Sequence, residues 1–502
     1  MLFRTATVFA AVVGAIQCTD GKEAQKACYE LEEALPELVS RRLQLGDAGE
    51  ILDFWSLTVQ DQKPACLVRP KTTQDVAETV KILNKHPKVQ FAVKSGGHDP
   101  NPGHANVNGG VLVSLNDMKG ATFNEKKKVA CVKPGGEWND PLGDLAEAGV
   151  AVVGGRLGVV GVGGLVLQGG ISFLSAQTGF AADTVLEWET VRADGSIVTI
   201  SAESDPELAT AMRGSGSQFG IVTQFTMKTV PVGQEVWGGM RMYAADQVDA
   251  LFSALHDFIP ANNEDVKAAI IPTDLTAAGG PPLFLVFYFY HDAEPPTEGA
   301  LANFLEIPST LDTTKTQSYA GLLQANGASA GLQSARQSFR TFTVPYVADA
   351  PHMYNEISLK FKSIIDDFLK SAVRPTTQCS VAFQPFPSII AKHSQEAGGN
   401  AMGIHPDDGD RLIIETQCSW ALPSDDELVR EMSKEMEDWL KTKVPQWTKG
   451  QVDGLYLPYF MNDAAGDQNV TGTYRDYAAL KALQKRNDPE GFWSARAGGH
   501  KY

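Results

Sequence analysis

Positive charge is what this chain is short of. Against 60 Asp and Glu it carries 43 Lys and Arg, a formal net charge of −17. That acidity excludes nucleic acid or an anionic membrane as its main partner. Cysteine is scarce as well, with six at positions 18, 28, 66, 131, 379 and 418. No two form a CxxC pair and no spacing is zinc-like, so no metal site is expected. Beyond the first sixteen residues no apolar run is long enough to span a membrane.

The first apolar run, Ala6–Ile16, follows Arg4 and precedes polar Gln17, Thr19 and Asp20. It is too short for a bilayer and fits the core of a secretory signal, so residues 1–18 read as a signal peptide and the protein as secreted. A buried N-terminal helix is the alternative. In a secretory compartment Cys28 and Cys66 are expected to pair, tying an N-terminal helix to the first extended segment. Closing that loop contributes about 3–4 kcal/mol in the chain-entropy picture. Cys379 and Cys418 are a second candidate pair. One sequon, Asn469-Val470-Thr471, offers an N-glycan acceptor.

Glycine, by contrast, is abundant at 47 residues, and a chain of 502 residues with 43% hydrophobic composition has room for two or three domains. The segment Lys94–Asp99, KSGGHD, follows an apolar alternation, Val89–Val93, with the period of a strand. Adjacent glycines admit backbone angles closed to other residues and let a ligand approach the N–H groups. Successive N–H groups make an anion-binding concavity, here with a histidine at its edge. A tight turn before a surface histidine is the plain alternative.

The order of elements indicates an α+β architecture. A helix is expected over Glu23–Leu45, interrupted at Pro36. Thr72 and Asp75 form a capping box for a second helix that His86-Pro87 stops. With extended Cys66–Pro70 and strand Val89–Val93, this is a strand–helix–strand unit. Strands are expected at Gly110–Leu115 and Lys128–Val132, and a helix near Trp138–Ala148. Between Gly154 and Gly170 eight of seventeen residues are glycine, a density that reads as loop throughout. Gly161-x-Gly163 lacks a third glycine at Val166, which argues against a Rossmann fingerprint. Thr184–Ser201 alternates around Asp194-Gly195, a hairpin signal. After Pro231 strands such as Leu283–Tyr290 and Arg411–Trp420 alternate with helices at Asp246–Phe258, Tyr354–Lys370 and Asp425–Lys441. They describe a second domain with a largely antiparallel sheet. Tyr474–Asn487 is a terminal helix. On the strand ending at Tyr290, alternation puts Tyr288 and Tyr290 on one face and His291 on the other.

Six segments in order, PACLVRP (64–70), KSGGHD (94–99), GGRLGVVGVGGLVLQGGIS (154–172), RADGSIVTIS (192–201), RGSGSQFGIVT (213–223) and NDPEGFW (487–493), resemble the flavin-linked oxidases of the berberine bridge enzyme and vanillyl-alcohol oxidase fold. The fungal secreted branch is the nearest match. The resemblance implies a PCMH-type FAD-binding domain over 60–232, a substrate domain over 233–455, its sheet flanked by helices, and a C-terminal segment, 456–502, returning to the FAD domain. It implies FAD bound covalently through His98, with Ser95, Gly96 and Gly97 around the pyrophosphate. It assigns Gly155, Gly161, Gly163, Gly164, Ser172 and Asp183 to a second FAD-contacting run, and Gly220, Ile221 and Val222 to a third. Leu157 stands where some members carry a second, cysteinyl link, so one covalent bond is expected. Ser215, Ser217 and Gln218 replace family residues in a mild change. Asp463 stands where plant members place a tyrosine proposed as catalytic base, and Tyr456 and Tyr459 are comparable candidates.

The implied activity is hydride removal from a small organic substrate, with O2 as acceptor and H2O2 as product. A role in fungal secondary metabolism, by dehydrogenation or oxidative cyclisation, is expected. A carbohydrate oxidase and a non-catalytic secreted flavoprotein are the alternatives.

Overall fold

The computed structural model describes residues 21–41, 47–329, 335–371, 373–374, 376–449 and 454–502. The expected signal peptide, residues 1–18, lies outside them. The first helix spans Gly21–Ala34 and buries Ala24, Ala27, Cys28 and Leu31. It ends before Pro36, not at Leu45, because a proline ring inside a helix collides with the preceding turn and lacks an N–H. The chain instead becomes extended at Val39–Ser40 (β1).

Strand β1 pairs antiparallel with β2 (Cys66–Val68). The two strands β2 and β3 (Phe91–Lys94) run parallel to β4 (Val111–Ser114), giving the order β1-β2-β4-β3. Between β2 and β3 the helix Thr73–Lys85 starts with the expected capping box of Thr72 and Asp75. Its buried face, Val76, Val80 and Leu83 among others, covers this sheet. Cys28 and Cys66 form a disulfide between the first helix and β2.

A second, antiparallel sheet comprises β5 (Ala121–Asn124), β6 (Val129–Val132), β7 (Val150–Val152), β8 (Val185–Val191), β9 (Ile197–Ser201) and β10 (Ile221–Pro231). The β8–β9 hairpin forms as expected around Asp194-Gly195. Gly195 takes φ +78°, and Asp194 Oδ1 accepts from the Ser196 N–H at 2.8 Å. The glycine run is not loop throughout. Residues Val162–Leu167 make a short helix that includes Gly163 and Gly164. A side chain at 163 would stand 2.9 Å from the Pro134 carbonyl, so glycine here lets the helix lie flush on its neighbour.

The third sheet is antiparallel, built from β11 (Val236–Tyr243), β12 (Ala268–Ala277), β13 (Leu283–Tyr290), β14 (Leu311–Asp312), β15 (Lys315–Gln317), β16 (Arg336–Pro345), β17 (Gln378–Phe386) and β18 (Arg411–Trp420). Its order is β14-β11-β13-β12-β17-β18-β16, with β15 beside β11. Helices Val248–Ala261, Met353–Lys370 and Asp426–Trp447 bury one face. Two-residue alternation turns the other face towards the first two sheets. Cys379 and Cys418 lie opposite each other on β17 and β18 and form a second disulfide. Cys131 is free. Tyr288 points into the helix-covered core, its hydroxyl bonded to that of Tyr243 at 2.5 Å. His291 bonds Gln177 and the Pro231 carbonyl instead.

After the helix Tyr477–Asn487 the tail returns to the first sheet. Phe492 and Trp493 pack on Phe91. Buried Arg496 donates to the carbonyls of Leu83, His86 and Val89 at 2.8, 3.0 and 3.0 Å. Those three acceptors offset the cost of taking a guanidinium out of water. Among the described residues no helix is long and apolar enough to cross a membrane.

Candidate active site

A cavity of about 790 Å³ lies between the glycine loops and the third sheet. Strand β3 ends at Lys94 and delivers Ser95-Gly96-Gly97-His98 to its wall. Ser95 Oγ donates to the Pro134 carbonyl at 2.6 Å and accepts from the Gly163 N–H at 3.0 Å, which ties this loop to the glycine run. Gly96 and Gly161 meet backbone to backbone: a Cβ on Gly96 would lie 2.5 Å from the Gly161 Cα. Gly97 has φ +68°, a region other residues rarely enter. None of the N–H groups of residues 95–98 donates to an acceptor among the described residues. They are a concave row of unused donors.

His98 is half-buried in the cavity wall, and desolvation pushes its pKa down to about 4 against an opposing pull from Asp99. The imidazole is therefore neutral at physiological pH. Trp55 stacks on it, and Phe339 of β16 packs beside both rings. Behind the loop Asp99 accepts from His104 Nδ1 at 2.9 Å.

Gly155, Gly161, Gly163, Gly164, Gly220, Ile221 and Val222 all line the cavity, as does Leu157. Ser172 and Asp183 do not. Ser172 faces a separate small cavity. Asp183 is buried, accepting from the Phe180 N–H at 2.9 Å, from Ser394 Oγ and from Asn400 Nδ2. It serves as a local anchor. Tyr456 and Tyr459 also face elsewhere. The Tyr456 hydroxyl bonds the Met402 carbonyl, and that of Tyr459 donates to Glu437 Oε1 at 2.8 Å. Burial raises both phenols, that of Tyr456 to about 12 and that of Tyr459 well above its ordinary value.

Asp463 does line the cavity, in a short turn after Phe460. Beside it is a residue that sequence reasoning missed, Glu415 on β18. Gln384 Nε2 donates to Asp463 Oδ2 at 2.7 Å and to Glu415 Oε2 at 3.2 Å, while its own carbonyl takes a hydrogen bond from Arg156. Arg156 thus fixes which way the amide points. Burial pushes the Asp463 carboxyl up to about 6. Burial and the neighbouring Asp463 hold Glu415 well above the ordinary carboxylate range. Two carboxyls this close cannot both ionise, so Glu415 keeps the proton and Asp463 is its acceptor. The signal in sequence was the alternation Glu415-x-Gln417-x-Ser419, polar on one face of a strand whose other face is apolar.

Residues 64–201 match the family model of an FAD binding domain. The chain is 33% identical over 456 residues to an uncharacterized FAD-linked oxidoreductase of Arthroderma benhamiae, covering 89% of each. It is 30% identical over 472 residues to an FAD-dependent monooxygenase of Penicillium roqueforti, covering 91% of this chain and 89% of that one. Among solved structures it shares its fold with a xylooligosaccharide oxidase of Myceliophthora thermophila C1 (TM-score 0.73, 20% identity, 95% and 100% coverage). It shares it also with a berberine bridge enzyme variant (TM-score 0.70, 16% identity, 94% and 99% coverage). The chain belongs to the FAD-linked oxidoreductases, with the berberine bridge enzyme-like fold, and is an enzyme.

The residues present fit FAD. The unused N–H row at 95–98 suits a pyrophosphate, and glycine walls such as Gly164, beside which a Cβ would meet nothing within 4 Å, leave room along the cavity.

Proposed function

We propose that this enzyme is an FAD-dependent oxidase of a small organic substrate in fungal secondary metabolism, with O2 as acceptor and H2O2 as product. When bound, FAD supplies the hydride acceptor. The observation that carries the reading is the Glu415–Asp463 pair, which lines the same cavity as the His98 loop.

Ser95, Gly96, Gly97, the glycine run at 155–164 and Gly220, Ile221 and Val222 would hold the cofactor, with His98 as its covalent attachment through a neutral ring nitrogen. Leu157 offers no thiol for a second bond. In domain terms, 60–232 and 456–502 would hold FAD and 233–455 would seat the substrate. Asp463 takes the substrate's proton on its carboxylate. Glu415, already protonated, steadies the ionised Asp463 by donating to it, and Arg156 offsets the buried negative charge. Residues 1–18 as a signal peptide, a glycan on exposed Asn469 and secretion complete the proposal, and the two disulfides support an oxidising compartment.

The test is a substrate panel scored by anaerobic bleaching of the flavin and then by peroxide release in air. Turnover of hydroxylated or cyclisable metabolites with stoichiometric peroxide is expected. Peroxide from cello- or chito-oligosaccharides and from nothing else would overturn the substrate reading, and bleaching without peroxide would overturn the oxidase.

A further inference from the structure

The cavity-facing side of the third sheet is divided. Its rows can be followed strand by strand through the pairing register. Met242 on β11 lies opposite Leu285 on β13, which lies opposite Thr273 on β12. Thr273 then meets Ala382 on β17, and Ala382 meets Glu415 on β18. One row therefore crosses five strands from a thioether to a carboxyl. At the usual strand spacing that is about 19 Å.

The rows on either side repeat the trend. Met240, Phe287 and Ile271 form an apolar row, while Leu275, Ser380 and Gln417 turn polar as they cross to β17 and β18. All of these side chains line the cavity. Two residues further along β17, Gln378 lines it too. The side chains of Gln378, Ser380 and Gln417 have no hydrogen-bond partner among the described residues, although each is half-buried. Amides and hydroxyls that face the cavity and are not engaged by the protein are available to a ligand there. Among the described residues of this sheet that line the cavity, Glu415 is the one ionisable side chain.

From this division we infer the substrate class: an uncharged amphiphile. Its hydrocarbon body lies across Met240, Met242, Leu285 and Phe287. Its hydroxyl or carbonyl oxygens meet Gln378, Ser380 and Gln417, and the reacting carbon sits at the boundary beside Glu415 and Asp463. An oligosaccharide is a poor occupant, since its hydroxyls would leave water along the apolar half and find no partner there. A charged ligand is disfavoured for the same reason. The inference rests on the reading of this cavity as the site of an FAD oxidoreductase and names what that site selects.

The test uses the purified holoenzyme and 4-alkylbenzyl alcohols from methyl to hexyl, with cellobiose as comparison. Dissociation constants are read from the shift in flavin absorbance. Each methylene placed on the apolar half is expected to tighten binding about fourfold. Met242→Gln and Leu285→Asn should each flatten that dependence on chain length. Gln417→Leu should weaken every member of the series by one common factor. The spectrum of each unliganded protein reports folding and flavin content before any ligand is added. A yellow wild-type protein whose affinity is flat with chain length, or which binds cellobiose more tightly than the hexyl alcohol, overturns the amphiphile and leaves the cofactor reading standing. A colourless protein overturns both.

Discussion

The indole of Trp55 lies over the imidazole of His98, with ring centroids 4.4 Å apart and planes within 15°. The two residues are joined a second time through the backbone, where the Trp55 N–H donates to the Gly97 carbonyl at 3.0 Å. Phe339, from the third sheet, packs on the indole at 4.9 Å. An aromatic pair of this kind contributes about 0.5–1.5 kcal/mol. Its larger effect here is to hold the imidazole in one orientation while burial keeps it neutral.

If His98 is the covalent attachment point, His98→Ala protein should lose all yellow colour from the acid-precipitated pellet while still binding flavin before acid. Trp55→Ala should retain His98 but incorporate acid-stable flavin slowly and incompletely, and Trp55→Phe should restore most of it. Pellet colour in Trp55→Ala equal to wild type, at equal times after flavin addition, would remove any positioning role for the indole.

The carboxyl pair sets the pH profile. Asp463 must be ionised to accept a proton, and its carboxyl is raised to about 6. The rate of substrate-dependent bleaching should therefore be full above that value and fall as pH drops through it. Asp463→Asn should slow the step about 10²–10⁴-fold. Glu415→Leu removes a donor that stabilises the Asp463 anion, so the acid limb should move to higher pH. Glu415→Gln, which retains a donor, should leave it nearer 6. A profile flat between pH 5 and 8, as test limits of about that range, would exclude Asp463 as the base.

Most of the loop wall of the cavity was legible in the sequence because it is local. The loop Ser95–His98 follows its strand directly, and Gly161 and Gly163 permit close backbone approach within a run whose glycine density leaves a compositional trace. What escaped was assembled from distant segments. Glu415, Gln384 and Arg156 come from β18, β17 and the glycine run, and only the folded arrangement brings them to Asp463, the one member of the group the sequence offered. Asp183, Tyr456 and Tyr459, by contrast, lie off the cavity wall. Each stands near family motifs in sequence, but its side chain is spent on an internal hydrogen bond. The short helix Val162–Leu167 was hidden because glycine's low helix propensity is overridden where a side chain would strike Pro134.

The disulfides give a stability expectation independent of the flavin. Cys379 and Cys418 are 39 residues apart in sequence and directly opposite in the sheet. Replacing both by serine should cost about 4 kcal/mol in the chain-entropy picture, measured as a lower urea midpoint with a steeper slope, since the unfolded chain is freed to expand. The Cys28–Cys66 pair closes a loop of nearly equal length, 38 residues, and should cost about the same. A loss below about 1 kcal/mol at either site would mean that the unfolded chain is already held compact there.

Two glycines of the cavity wall separate folding from cofactor binding. At Gly96 a methyl group would be driven to 2.5 Å from the Gly161 Cα, a backbone atom that cannot swing aside. Overpacking of that kind costs about 1–3 kcal/mol or more, so Gly96→Ala should lower both Tm and flavin content. At Gly164 a methyl group would meet nothing within 4 Å, and the residue is helical. Alanine there should hold or raise stability, by up to about 1 kcal/mol from helix propensity, while its methyl stands in the cavity that the flavin is proposed to fill. Gly164→Ala is therefore expected to be at least as stable as the parent yet poorer in flavin, as read by a thermal melt and the ratio of flavin to protein absorbance. Full flavin content in Gly164→Ala would place the cofactor elsewhere along the wall.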